Sequence, residues 1–295
     1  MSTIALAGRP AAIRRARRFH WPSWRYYILV PVALFQTLPI IFLANHAFKP
    51  LEELFLYPPT FIVRRPVMTN FEQLLLAASA LSVPFSRYMF NTAFITGVTV
   101  FGSILIGAMA AYPLAKHRAP GMNVLFTIVI AALMFSPHVV AIPRYLVVNR
   151  LGLIDTYWAM ILVHIAGPTG LFLMRQFTQQ VPNELIEAAK VDGASEWTIF
   201  WRVIMPNTQP AWATLAIFTF LSVWNDEFGP LIYTRSEAMR TLAVAMITIQ
   251  GGAEVVARQG AAAAAAFLMT MPTIIVFLLM QRRVIQTMAH AGIKG

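Results

Sequence analysis

The chain has 295 residues, 58% of them hydrophobic and only 12% charged, which excludes an ordinary soluble domain. It has no cysteine, which excludes a disulfide scaffold, a thiol enzyme and a Cys-type zinc site. A net charge of +11 suggests nucleic acid at first sight, but its placement beside long apolar runs argues for a membrane anchor instead.

Residues 1–27 carry Arg9, Arg14, Arg15, Arg17, Arg18 and Arg25 in front of the first apolar run, and read as a basic cytoplasmic segment rather than a cleaved signal peptide. Six stretches approach or exceed the roughly 20 apolar residues that cross a bilayer: 28–48, 91–114, 123–142, 157–177, 211–231 and 261–280. The expected fold is therefore an all-α membrane protein with six transmembrane helices. With the N-terminus inside, the cytoplasmic side holds 14 Lys+Arg and the outer side 9. That asymmetry places both termini and the 178–208 loop in the cytoplasm. Residues 49–87, rich in proline at Pro50, Pro58, Pro59 and Pro66, become an outer loop long enough to pack across the mouth.

The second span lies in a core taken as 88–281. It carries Thr92, Thr96, Thr99 and Ser103 on one helical stripe, with Gly97, Gly102 and Gly107 offering close helix approach. The stripe is read as helix packing, with a pore-lining face as the alternative. The third span contains Ser136-Pro137-His138, and the fourth contains His164 and the breaker run Gly167-Pro168-Thr169-Gly170. Both sites suit broken helices, which line cavities or mark moving parts of transporters. A plain kink and a packed histidine are the duller readings, and no carboxylate lies near either histidine in sequence.

The 178–208 loop is polar enough to lie in water. Pro182 suits the first turn of a helix, Leu185, Ile186 and Ala189 share a face, and Glu184 and Glu187 sit near the positive helix end. Gly193 comes where a left-handed C-terminal residue belongs, and Ser195 is placed to cap a second helix, with Glu196 in its first turn. That helix is expected to carry Trp197, Phe200, Trp201 and Ile204 on one side and to stop before Pro206. The fifth span ends on Trp224-Asn225-Asp226-Glu227, where an aromatic face beside an amide suits a sugar. An interfacial Trp at an ordinary helix end is the competing reading. Residues 282–295 form a cytoplasmic tail.

Glu187-Ala188-Ala189, three residues, Gly193, nine residues, then Val203-Ile204-Met205-Pro206 resembles the cytoplasmic loop of binding-protein-dependent ABC importer permeases. The pattern of that family is E-A-A, three residues, G, nine residues, I-x-L-P, with Val203 and Met205 standing here for Ile and Leu. Further matches resemble the carbohydrate branch, akin to the second maltose-transporter subunit. They are Leu151-Gly152-Leu153-Ile154-Asp155-Thr156, Phe172-Leu173-Met174-Arg175-Gln176-Phe177, Val181-Pro182, Trp224-Asn225-Asp226, Pro230-Leu231 and Gly292-Ile293-Lys294-Gly295.

The resemblance implies a type I importer architecture in which Glu187, Ala188, Ala189, Asp192, Gly193 and Pro206 couple to an ATPase. It implies a second permease subunit, an ATPase dimer that binds ATP and Mg, a separate solute-binding protein, and a bacterial or archaeal cytoplasmic membrane. Thr96, Ser103, His138, Trp224 and Asn225 are the candidate substrate-path residues. The chain has no P-loop, H-E-x-x-H, G-x-S-x-G or G-x-G-x-x-G, so it is expected to be a non-catalytic subunit without cofactor or metal. A secondary transporter would need ion-coupling carboxylates inside spans, and a membrane scaffold would need no path at all. Polyol or glycerol-phosphate uptake is the alternative within the importer class.

Overall fold

The computed structural model describes residues 25–79, 82–250 and 259–292. The basic residues Arg9 to Arg18 and the terminal Ile293-Lys294-Gly295 lie outside the described residues. Two compact units divide between Phe42 and Leu43. The first is the larger part of helix α1, Arg25–Phe48, which contains Pro31 and Pro39. Prolines remove backbone donors, and inside this helix Thr37 donates its hydroxyl to the Ala33 carbonyl at 2.7 Å.

In the second unit the chain turns through α2, Leu51–Leu54, and α3, Thr69–Ser79. Asn70, buried, donates to the carbonyls of Ala47 at 3.0 Å and Lys49 at 2.7 Å, which closes this segment on itself. Phe48 and Phe71 meet Phe267 edge-on with ring centroids 5.7 and 6.3 Å away, so the proline-rich segment folds back on the last long helix. A side chain at Gly260 would collide with the Asn70 amide, which explains a glycine at that crossing.

Helix α4, Phe85–Lys116, runs unbroken for 32 residues. Then come α5, Met122–Leu133; α6, Ala141–Arg150; α7, Tyr157–Ile165; and α8, Pro168–Gln180. The hairpin follows as α9, Asn183–Val191; α10, Glu196–Ile199; a π-turn over Phe200–Ile204; and α11, Met205–Asn207. The chain continues with α12, Gln209–Trp224; α13, Phe228–Tyr233; a 3₁₀ turn over Glu237–Met239; α14, Leu242–Gln250; and α15, Gln259–Gly292. Among the described residues three helices are long and apolar enough to cross a membrane, Tyr26–Phe48, Phe85–Lys116 and Gln259–Gln281. The pair α7 and α8, bent by 41°, makes a fourth if it is counted as one span.

Two expected spans are interrupted. The 123–142 run is cut over residues 134–140, because Pro137 lacks an N–H and pushes Ser136 out of the helical region. The 211–231 run is cut at Asn225-Asp226-Glu227, where the Asp226 carboxylate accepts the Gly229 N–H at 3.0 Å and starts a new helix. The Gly167-Pro168 break divides the fourth span as its sequence suggests, with Pro168 in the first turn of α8.

Three apolar clusters hold the second unit together. One joins Leu74, Tyr88, Trp224, Leu242 and Ala264; another joins Ile95, Val148, Met160, Val223 and Tyr233. The third joins Ala108, Tyr112 and Met174 to Ile186, Ile199, Phe200 and Ile204 of the hairpin. Helix α4 contributes to all three. The Thr92–Ser103 stripe faces this packed protein: Thr92 accepts the Leu242 N–H at 2.8 Å, and Ser103 donates to Thr219 at 3.2 Å or back to Val100. Of the three glycines, a β-carbon at Gly102 would collide with Ile165 and one at Gly107 would lie 3.6 Å from Leu215, whereas one at Gly97 would meet nothing within 4 Å.

Candidate functional site

The hairpin is built from two short helices and a glycine bend. Pro182 precedes α9 rather than entering it, and Glu184 lies in its first turn, near the positive end. The helix ends in a Schellman motif. The Gly193 N–H donates to Lys190 at 3.0 Å and the Ala194 N–H to Ala189 at 2.9 Å, with Gly193 at φ +78°. Ser195 then caps α10 by accepting the Thr198 N–H at 3.2 Å.

The second arm does not stop before Pro206. It loosens into a π-turn, and the chain runs on through Pro206 into α11. The wider register tolerates a residue that cannot donate. Carbonyls near the break find side chains instead. Asn207 donates to the Val203 carbonyl at 2.7 Å, Thr208 to Ile204 at 2.9 Å, and the Trp212 indole to Met205 at 3.2 Å.

Ile186, Ile199, Phe200 and Ile204 are buried in the cluster beneath. The four residues expected on one side of the second arm split: Phe200 and Ile204 point inward, while Trp197 and Trp201 stay exposed and meet edge to face at 5.9 Å. The outer surface also presents Leu185 and Val191, the latter 88% exposed. Glu187, Ala188, Asp192, Gly193 and Pro206 are exposed and Ala189 is half-buried. Ala189, Asp192, Gly193, Ser195 and Arg202 line an open concavity between the arms.

Both arms are tied to the end of α4. Lys116 donates to the Val181 carbonyl and to Asn183 Oδ1 at 2.9 Å, which anchors the first arm. Glu196 anchors the second. It accepts from the Tyr112 hydroxyl at 2.6 Å and pairs with Lys190 at 2.8 Å, with His117 at 3.7 Å. The Lys190 contact, then the Tyr112 bond, holds the Glu196 carboxyl below the usual carboxylate range. Sequence reading saw Glu196 only as a first-turn charge, since Tyr112 lies far away along the chain. Arg175 completes the junction, donating to the Leu114 carbonyl at 3.1 Å and lying 3.5 Å over the Phe126 ring.

A second anchor lies at the opposite end of the helices. Asp155, at φ +64°, accepts on one oxygen from the Arg235 N–H, the Ser236 N–H and the Ser236 hydroxyl, each at 2.9 Å. The Ser236 backbone contact is the main reason its carboxyl sits below the ordinary range.

The candidate path residues divide. Trp224 is 6% exposed, stacks on Phe220 at 5.3 Å and donates its indole N–H to the Met269 carbonyl at 3.0 Å. Its ring is therefore covered and offers no face to a solute. Thr96 and Ser103 are buried as well. Asn225 and His138 are exposed, and each stands at a helix break. The breaks after α5, before α8 and after α12 lie about 18, 20 and 24 Å from the hairpin ends of those helices at ~1.5 Å per residue. They also meet laterally. His138 packs edge-on to Phe228 with centroids 5.9 Å apart, and His164 Nε2 faces Asp226 Oδ2 at 3.7 Å. The carboxylate that sequence proximity could not supply comes from a different helix.

Residues 103–290 match the family described as binding-protein-dependent transport system inner membrane component. Protein LplC of Bacillus subtilis (strain 168) is 35% identical over 223 residues, covering 72% of this chain and 75% of that protein. The arabinooligosaccharides transport system permease protein AraQ of Halalkalibacterium halodurans is 30% identical over 269 residues, covering 90% and 93%. A chain in the crystal structure of a bacterial ABC transporter involved in the import of the acidic polysaccharide alginate superposes with a TM-score of 0.74 at 23% identity. The match covers 90% of this chain and 98% of that one.

Proposed function

The chain belongs to the binding-protein-dependent transport system inner membrane components, and from that premise we propose that it is the permease subunit through which an ATP-driven importer moves a carbohydrate. The family makes it a multi-pass, non-catalytic membrane component whose ATP is bound by a partner subunit. The carbohydrate assignment rests on similarity to AraQ and on the alginate importer fold. The finer reading is a type I arrangement of six crossings, with the interrupted runs at 123–142 and 211–231 completing the set. In it, the 1–27 segment, the hairpin and the 282–295 tail lie in the cytoplasm and 49–87 lies outside. A second permease, an ATPase dimer and an extracytoplasmic binding protein complete the assembly.

The observation that carries this reading is the hairpin. Its tip is narrow because Ala188, Ala189, Gly193, Ala194 and Ser195 are all small, and its flanks expose Leu185, Val191, Trp197 and Trp201. Its base is bound to the spans by Lys116 and Glu196. A rigid, exposed knob with an apolar rim fits a protein cleft better than a lipid surface, where its Glu187 and Asp192 would be unwelcome. Glu187, Ala188, Ala189, Asp192 and Gly193 are assigned to that contact and Pro206 to the second arm's bend; His138 and Asn225 are assigned to the path.

The test is reconstitution. The full assembly in proteoliposomes is expected to import radiolabelled arabinotriose, trehalose or maltotriose only with ATP and binding protein, and the single chain to import none. Concentrative uptake by the chain alone would refute the reading.

A further inference from the structure

The His164–Asp226 contact is chemically incomplete. Met160 offers only a carbonyl oxygen, so the 3.0 Å contact from His164 Nδ1 requires the proton on Nδ1. In the neutral ring Nε2 is then an acceptor, and it faces the acceptor Asp226 Oδ2 at 3.7 Å. At 3.7 Å neither a neutral nor a protonated ring makes a direct hydrogen bond to the carboxylate, so the pair keeps hydrogen-bonding capacity for a ligand. The other carboxylate oxygen, Oδ1, is fixed by the Gly229 N–H at 3.0 Å, and Oδ2 itself rests against Gly229, where an added β-carbon would collide with it. The carboxylate is thus held in place, with Oδ2 between Gly229 and the His164 ring.

The surroundings narrow the donor. His164 and Asp226 side chains are 21% and 19% exposed, so the pair is sheltered but reachable. Phe228 is 45% exposed beside it, and its ring meets His138 edge-on. Asn225 uses its amide N–H₂ on the Leu221 carbonyl at 2.9 Å, which leaves its oxygen as a further acceptor. The pair offers two acceptors, with Asn225 and Phe228 within two residues of Asp226 in the chain, at the level where three helices are broken. Neighbouring hydroxyls on a sugar ring donate two hydrogens a short distance apart, and the C–H face of the ring suits Phe228.

Resting on the carbohydrate reading above, we propose that His164 and Asp226 form a subsite for a vicinal diol of the passing sugar, one hydroxyl donating to Nε2 and its neighbour to Oδ2. Phe228, rather than Trp224, supplies the aromatic surface.

The substitution Asp226→Asn separates this from a structural brace. Asparagine keeps an oxygen for the Gly229 N–H and turns an N–H₂ donor toward Nε2. A brace survives that change or tightens, whereas a diol site loses its acceptor and is filled from within. His164→Gln is the second variant, on a different helix. Binding of arabinotriose, trehalose and maltotriose to the purified full assembly without binding protein would be followed by saturation-transfer NMR, alongside ATP-dependent uptake of the same three. At least one sugar is expected to bind the wild type, with about tenfold weaker binding in each variant, the size expected for one charged hydrogen bond. Equal affinity in wild type and Asp226→Asn would overturn the subsite. So would uptake by a wild type that shows no binding, while leaving the carbohydrate reading intact. Neither uptake nor binding would overturn both.

Discussion

At Gly193 the cost of the bend can be separated from the cost of bulk. The residue sits at φ +78°, and a β-carbon built there meets nothing within 4 Å, so the chain itself imposes no steric limit. Gly193→Ala therefore costs only the left-handed conformation, about 1–2 kcal/mol. Gly193→Asn costs less, because asparagine visits that region, yet it is larger. Neither change unfolds the hairpin. Burial of Ile186, Ile199, Phe200 and Ile204, at about 1.5–3 kcal/mol each, holds it by several times that amount even after allowance for a compact unfolded state. If the tip enters a partner cleft, bulk governs the outcome. ATPase co-purification and binding-protein-stimulated hydrolysis should then fall in the order Gly, Ala, Asn, Asp. The order Gly, Asn, Ala would show that only the bend matters, and wild-type values throughout would end the docking assignment.

Single cysteines replacing Tyr57, which is 95% exposed, and Ser195 should be labelled from opposite sides of the membrane in this cysteine-free chain; labelling of position 195 from outside intact cells would overturn the topology. Tyr112→Phe removes the 2.6 Å bond to Glu196, and because that carboxylate is 53% exposed the cost is about 1 kcal/mol; sugar imported per ATP should fall more than thermal stability does. Since the Glu196 carboxyl is depressed from 4.5, its contribution is complete above that pH and is lost as pH falls through the lower folded value, so hairpin mobility followed by a spin label at position 195 should rise only below about pH 4.5. Asp155→Ala leaves three donors without their acceptor and places alanine at φ +64°, about 2–4 kcal/mol together, whereas Asp155→Asn keeps the conformation and one acceptor and should cost under half of that in thermal unfolding.

Much of the hairpin was legible because its determinants are local. A glycine four residues beyond Ala189, a serine two later and a glutamate in the next turn are enough to write a Schellman bend and an N-cap. The helix breaks were legible for the same reason, since Pro137 and Pro168 act on their own neighbours. Pro206 misled, because a π-turn and the side chains of Asn207, Thr208 and Trp212 make room for it. What sequence could not give was partnership at a distance. Nothing near Glu196 announces Tyr112, and nothing near His164 announces Asp226. Trp224 looked like a sugar platform because its neighbours are polar, but α12 turns the indole toward Met269 before those neighbours begin.

Helix α4 runs about 48 Å at ~1.5 Å per residue, and its one proline, Pro113, lies in its last turn. The three helices nearest it on the hairpin side are each interrupted part of the way along. The chain thus combines one stiff strut with several jointed ones. Were a partner to push on the hairpin, the bonds of Lys116 and Glu196, which tie both arms to the tip of α4, would pass the load to that helix. A tilt of α4 would then be felt at its far end, beside Asn91, which donates to the Ala238 and Arg240 carbonyls. The jointed helices take up the difference at their breaks, where His164 and Asp226 meet. Force and passage would then share a mechanical address, with the strut setting when the joints open and the joints setting what goes through.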